Sequence, residues 1–309
     1  MRVVFMGTPE FAVPTLESLI GRHEVIGVVT QPDKRKGRGK AMAYPPVKEK
    51  AIEHDIPVYQ PEKVREESFV EQLRKMNPDV IVVAAFGQIL PESILTLPPY
   101  GCINVHASLL PKYRGAAPIQ WAVICGEKET GITTMYMAKG LDTGDMLDKA
   151  VVSIDEKETG QSLHDKLAAL GGKLILETLA KLEAGTARRI AQKDEDSSYA
   201  KMLTKALGKI DWTKDAVSIE RLIRGLNAWP SAYTFLGGKS LKLWEADVVE
   251  EEENCPPGTV TLVQKDSFFV QTGKGQLKIK EVQLQGKKRM AAQAFLLGYS
   301  VKRGTVLGE

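Results

Sequence analysis

Val80-Ile-Val-Val-Ala-Ala-Phe86 is a run of seven apolar residues, the first four of them β-branched. A strand wetted on one face alternates apolar and polar side chains. An unbroken apolar run of strand length instead predicts burial on both faces, as for an inner strand of a parallel sheet. Two comparable runs lie upstream, at residues 2–6, closed by Gly7-Thr8-Pro9, and at 24–30, ended by Gln31-Pro32-Asp33. Helical patterns separate them: Phe11, Leu16, Leu19 and Ile20 first, then residues 46–54, then 66–76 with Phe69, Val70 and Leu73 on one stripe. Strands alternating with helix-length segments predict an α/β fold with a Rossmann-like, doubly wound N-terminal domain.

A dinucleotide is not implied by that fold. The first turn has one glycine followed by Pro9, where the phosphate fingerprint needs three glycines, and no GxxxxGK[ST] loop occurs. Downstream, residues 161–182 carry a helical stripe of Leu163, Leu167, Leu170, Leu174, Ile175, Leu179 and Leu182. Gly185 and the polar residues 194–198 resemble a linker. One more helix is expected at 219–226, and then short strands at 232–236, 241–246, 258–263, 267–271 and 276–282. Short strands separated by turn residues predict a small antiparallel barrel or sandwich. The expected division is a domain of residues 1–204 and a second of 205–309.

The 309 residues suit two domains of ordinary size, and 43% hydrophobic with 26% charged residues excludes disordered and collagenous chains. The net charge of +3 gives no hint of a nucleic acid, but it is unevenly placed. Residues 1–204 carry −1, residues 205–309 carry +4, and residues 254–309 alone carry +6. Cys102, Cys125 and Cys255 are too few and scattered for a disulfide framework or a metal knuckle, and the four histidines form no HExxH pair. No signal peptide or membrane span is recognisable, so a cytoplasmic, metal-free protein is expected.

Chemistry concentrates at residues 101–119. Asn104 and His106 stand two apart on an expected strand at 102–106, and therefore on one face. The following Ser108-Leu-Leu-Pro111-Lys-Tyr-Arg114-Gly115 is apolar where a surface loop is normally polar. An amide and an imidazole delivered beside an apolar loop at a sheet's carboxyl edge suit a small-molecule site. Asp142 and Asp145, bounded by Gly140 and Gly144, can reach a histidine from a loop. Ser108 lacks the strand–turn–helix setting of an activated nucleophile. Asn, His and Asp instead suit direct acyl transfer to an amine: two donors for a developing oxyanion, and a carboxylate to orient the imidazole.

Asn104-Val-His106, Ser108-Leu-Leu-Pro111-Lys-Tyr-Arg114-Gly115 and Leu141-Asp142-Thr-Gly144-Asp145, in this order, resemble the folate-dependent formyltransferases. The resemblance implies Asn104, His106 and Asp142 as the catalytic set. It implies that 10-formyltetrahydrofolate lies against Ser108, Leu109, Leu110 and Pro111, with Phe86, Gly87 and Gln88 beside its pterin. Ala107 stands where proline is frequent in the family.

Two basic segments narrow the resemblance to members that act on initiator methionyl-tRNA, for translation initiation. The first holds Lys34, Arg35, Lys36, Arg38 and Lys40, with Gly37 and Gly39 between them. Following a strand at the sheet's carboxyl edge, it could neutralise phosphates near the catalytic pocket, although a solvated turn is the default for a charge run. The resemblance places this insertion at the acceptor stem. The second is Lys287, Lys288 and Arg289, in what the resemblance makes an OB-like, tRNA-binding barrel. No protein partner is implied. The alternatives are formyl transfer to a small amine, such as glycinamide ribonucleotide or an amino sugar, and a catalytically silent RNA-binding protein.

Overall fold

The computed structural model describes residues 1–36 and 41–308. In the N-terminal part, strands β1 (Arg2–Gly7), β2 (Glu24–Val29), the short pair β3 (Lys34–Lys36) and β4 (Ala41–Ala43), and β5 (Val58–Tyr59) alternate with α1 (Val13–Ile20) and α2 (Pro46–Glu53). Then come α3 (Glu67–Met76), β6 (Val80–Ala84), α4 (Glu92–Leu95), β7 (Cys102–His106), β8 (Arg114–Gly115), α5 (Pro118–Cys125), β9 (Glu129–Tyr136), β10 (Met146–Ser153), α6 (Gly160–Glu183) and β11 (Tyr199–Ala200). The main sheet has seven strands in the order β10-β9-β7-β6-β1-β2-β5. The five strands from β7 to β5 are parallel, and their order reverses between β1 and β6, the Rossmann arrangement. The sheet is mixed rather than purely parallel: β9 runs antiparallel to β7, and β10 antiparallel to β9.

Each strand's alternation supplies one residue set to each sheet face. Val4, Met6, Ile81 and Val83 join Phe69, Val70 and Leu73 of α3 in one buried cluster. On the other face the adjacent Gly171 and Gly172 let α6 come close. A Cβ on Gly171 would lie 2.9 Å from Val105 of β7, and one on Gly172 would lie 2.7 Å from the Pro14 carbonyl oxygen of α1. Cys102 is enclosed in the first cluster, and burial pushes its thiol up to about 12. Since the thiolate is the reactive form, iodoacetamide at pH 8 is expected to modify exposed Cys125 and to spare Cys102 until the chain is unfolded. Mass mapping of the alkylated peptides reads the order.

The C-terminal part has α7 (Ala216–Gly225), β12 (Ala232–Leu236), β13 (Lys239–Val249), β14 (Val260–Val263), β15 (Phe268–Gln271), β16 (Gln276–Leu284), β17 (Met290–Ala291) and α8 (Ala292–Gly298). Asp215 caps α7 by accepting the Ser218 N–H at 2.8 Å. The strands form an antiparallel sheet, β12-β13-β16-β15-β14, with β17 added beside β16. Its outermost strands are bridged by the tail. Val260 N donates to Thr305 O at 2.8 Å, Leu307 N to Gly258 O at 2.8 Å, and Gly308 N to Phe235 O at 2.9 Å, which makes the sheet barrel-like. Phe268, Ile279, Val282 and Phe295 fill the interior with Trp212. Phe268 is fully enclosed, so Phe268→Ala is expected to cost about 3–5 kcal/mol, read as a lower urea midpoint.

Two compact units emerge, each discontinuous in sequence. The first comprises Met1–Pro118, Glu129–Ser153 and His164–Ala200; the second comprises Ile119–Lys128, Ile154–Leu163 and Lys201–Glu309. Among the described residues no helix is long and apolar enough to cross a membrane.

Candidate active site

β7 carries Asn104 and His106 to the carboxyl edge of the first unit's sheet. In register, Asn104 lies between Val83 of β6 and Met135 of β9, and His106 opposite Thr133. Both side chains are buried. His106 Nε2 is 3.0 Å from Tyr113 O, and a carbonyl can only accept, so Nε2 carries a proton and donates it there. The other nitrogen, Nδ1, is turned to Asp142 Oδ2 at 3.7 Å, near enough for electrostatic steering and too far for a direct hydrogen bond. Asp142 has a left-handed backbone, φ 53°, which aspartate tolerates better than most residues, and its Oδ2 accepts the Gly115 N–H at 2.8 Å. The structure therefore brings His106 and Asp142 together. Asn104 keeps 8% of its surface, and among the described residues none hydrogen-bonds its amide.

The apolar loop after β7 is held by polar bonds from inside. Ser108 Oγ donates to Lys112 O at 2.7 Å, Thr133 Oγ1 donates to Ser108 O at 2.7 Å, and Leu110 N donates back to Thr133 Oγ1 at 3.1 Å. Lys149 Nζ donates to Leu110 O at 2.5 Å, and burial lowers the basicity of this ammonium. Ser108 and Leu110 are completely enclosed and shape the loop, whereas Leu109 and Pro111 keep accessible surface. At the end of β6, the Phe86 carbonyl accepts from Thr8 Oγ1 at 3.1 Å and from Gln31 Nε2 at 3.2 Å, tying together the ends of three parallel strands. Gly87 follows with φ 84°, and the Gln88 side chain accepts the Val64 N–H at 3.0 Å.

Sequence reasoning missed the segment resembling a linker. Ile190 exchanges two backbone bonds with Met146, and Ser198 accepts the Tyr113 N–H on its hydroxyl and the Arg114 N–H on its carbonyl, all at 2.9 Å. β11 then pairs with β8. Gln192 donates to Asp142 O and Gly144 O, both at 2.8 Å, and accepts Arg114 Nε at 3.0 Å. These contacts are polar and largely made with backbone, so no apolar period announces them.

Of the basic segment, Lys34 is exposed, Lys34, Arg35 and Lys36 form β3, and Arg38 and Lys40 lie outside the described residues. β3 and β4 pair antiparallel, so the basic segment begins as a strand, which the reading of it as a charge run did not include. One lysine touches both feet of this pair. Lys48 Nζ donates to both Asp33 oxygens, at 2.9 and 2.7 Å, and sits 4.1 Å from the centre of the Tyr44 ring. Lys48, followed by Gln60, holds the Asp33 carboxyl below the ordinary carboxylate range. Beside it a cavity of about 260 Å³ is lined by Thr8, Gln31, Pro32, Lys34, Tyr44 and neighbouring residues. In the second unit, Lys287, Lys288 and Arg289 are exposed in the turn after β16. Arg289 is ion-paired with Glu281 and lies 4.6 Å from the Trp244 ring centre.

Residues 1–179 match the family model described as formyl transferase, and residues 202–300 match that of the formyl transferase C-terminal domain. The chain belongs to the formyltransferase family. This formyltransferase is 59% identical over 306 residues to the methionyl-tRNA formyltransferase of Agathobacter rectalis, covering 99% of both chains. It is 55% identical over 311 residues to that of Geobacter metallireducens, covering 100% of this chain and 99% of the other. Among solved structures, the sugar 3N-formyl transferase WlaRD, crystallised with dTDP and 5-N-formyl-THF, matches with a TM-score of 0.68 at 18% identity. That match covers 93% of this formyltransferase and 99% of WlaRD, and it supports the fold alone.

Proposed function

We propose that this formyltransferase transfers the formyl group of 10-formyltetrahydrofolate to the α-amine of initiator methionyl-tRNA. The observation that carries the chemistry is the pairing of the unengaged Asn104 amide with His106, whose Nδ1 faces a fixed Asp142 carboxylate. The choice of amine is supported by the full-length relatives, which are named for methionyl-tRNA. A folate fits the donor set, because a loop with accessible apolar surface at Leu109 and Pro111 follows the strand that carries the unengaged Asn104 amide.

The folate supplies an activated formyl carbon. Asn104 donates its amide hydrogen to the carbonyl oxygen as negative charge develops there, and the His106 Nε2–H, which Tyr113 O holds in place in the free protein, is the second donor. Asp142 fixes the orientation of the imidazole and helps to take the amine's proton, and a proton is returned to the folate nitrogen as its bond to the formyl carbon breaks, so that tetrahydrofolate leaves. Ser108 and Leu110 keep the loop in shape, and Leu109, Pro111, Phe86, Gly87 and Gln88 frame the folate. Holding both large substrates in line removes much of the entropic barrier. Lys34, Arg35, Lys36, Arg38 and Lys40 of the hairpin segment, and Lys287, Lys288 and Arg289, neutralise tRNA phosphates. Catalysis is assigned to residues 1–204 and tRNA docking to 205–309.

The test is transfer of labelled formyl from 10-formyltetrahydrofolate to charged initiator tRNA, run beside a small amine. Formylation of methionyl-tRNA is expected, with binding that weakens as salt rises. Acceptance of the small amine with none of the tRNA overturns the reading.

A further inference from the structure

We propose that Gln192 is the positioning residue of the catalytic aspartate, acting through one amide that spans the Asp142–Gly144 turn. Its Nε2 donates to the carbonyl of the first and of the last residue of that turn, Asp142 O and Gly144 O, at 2.8 Å each. Its Oε1 accepts Arg114 Nε at 3.0 Å, and Arg114 is itself held by Asp194 Oδ1 at 2.9 Å. The residue after Arg114 is Gly115, whose N–H binds the Asp142 carboxylate at 2.8 Å. The bonds close a ring: the strand that grips the carboxylate also grips the amide that grips its backbone.

This geometry has a specific chemical demand. Two carbonyls and one guanidinium surround the side chain of residue 192, so it must donate twice at one end and accept at the other. Glutamine is the side chain of this length that does both. The left-handed backbone of Asp142, φ 53°, adds to the demand, since such a conformation persists only where its surroundings over-determine it. Without the amide, the turn loses the restraint that sets the 3.7 Å separation of Asp142 Oδ2 and His106 Nδ1. A displacement of about 1 Å at a reacting group can cost about 10²-fold in rate.

The inference rests on the catalytic role given to Asp142, and its test separates the two. Gln192→Met keeps the length and removes every hydrogen bond. In the full-length enzyme, kcat is expected to fall about 10²-fold, with KM for both substrates nearly unchanged. In an Asp142→Asn background, the same substitution is expected to change kcat little, since the group it positions is already gone. Equal losses in both backgrounds overturn the proposal. Gln192→Glu, which keeps the acceptor for Arg114 and removes the donors, is the second variant, and a wild-type rate for it likewise overturns the proposal. A readout independent of turnover is the ring spectrum of ¹⁵N-histidine-labelled protein, which has four histidines. Gln192→Met is expected to shift the His106 ring signals while those of His23 and His54 stay in place, and unchanged His106 signals overturn the proposal. A wild-type enzyme that fails to formylate methionyl-tRNA overturns the substrate reading alone, because the ring spectrum still decides the role of Gln192.

Discussion

With His106 replaced by alanine, turnover is expected to fall by about 10²–10³, the usual loss when a donor to a developing oxyanion is removed. Binding of tRNA and of folate should be nearly unchanged, because the ring sits at the end of β7 and is buried rather than part of a basic surface. The substitution removes the Nε2–H, so the Asn104 amide becomes the remaining donor of the pair. Asp142 stays in place, since its carboxylate is anchored by the Gly115 N–H rather than by the ring. Single-turnover formylation with saturating substrates reads the chemical step, and a binding titration reads the rest. A near-normal rate with the alanine variant would remove His106 from the mechanism and leave it a structural side chain.

A comparable loss is expected from a single methyl group at Gly144. A Cβ there would lie 1.8 Å from the Tyr136 carbonyl oxygen and 2.8 Å from its carbon, which is backbone and cannot rotate aside. The turn has to move outward. Both bonds from Gln192 end on this turn, and Tyr136 N also donates to Asp145 O at 2.9 Å, so the movement is transmitted to Asp142. Gly144→Ala is therefore expected to lower kcat by about 10²-fold and to lower the melting temperature as well. Gly140→Ala is the control on the same loop. Its Cβ would meet the Thr143 hydroxyl at 2.4 Å, the end of a side chain that can turn away, and activity should stay close to wild type. Equal activity of the two variants would show that the turn is not under this restraint.

The inner strands were legible because their burial is written in side chains. β1, β2 and β6 are apolar throughout or nearly so, and the stripe of α6 marks its packed face. β9 was harder to see, because Thr133 and Thr134 are buried by hydrogen bonding rather than by hydrophobicity. The site divides in the same way. Asn104, His106 and Asp142 stand out as chemistry-bearing residues beside glycines and an apolar loop. Gln192 and Ser198 do their work through backbone partners distant in sequence, and polarity there mimics a linker. The short pair β3–β4 was hidden for a related reason: its charged and small residues carry no strand period, and its feet are fixed by Lys48 from outside the pair.

The tail that bridges β12 and β14 matters for the order in which the chain is made. Every strand of that sheet is translated before residues 305–308, and they are the residues that bond Gly258, Val260 and Phe235. Until those residues are in place, β14 lacks its bonds at Gly258 and Val260, while β12 keeps the bond from Ile210 N to Tyr233 O at 2.8 Å. The uncovered β14 edge is then a template for a neighbouring chain. Sealing of the barrel thus follows the synthesis of all its strands, and a chain interrupted before residue 305 would hold a nearly complete but adhesive domain.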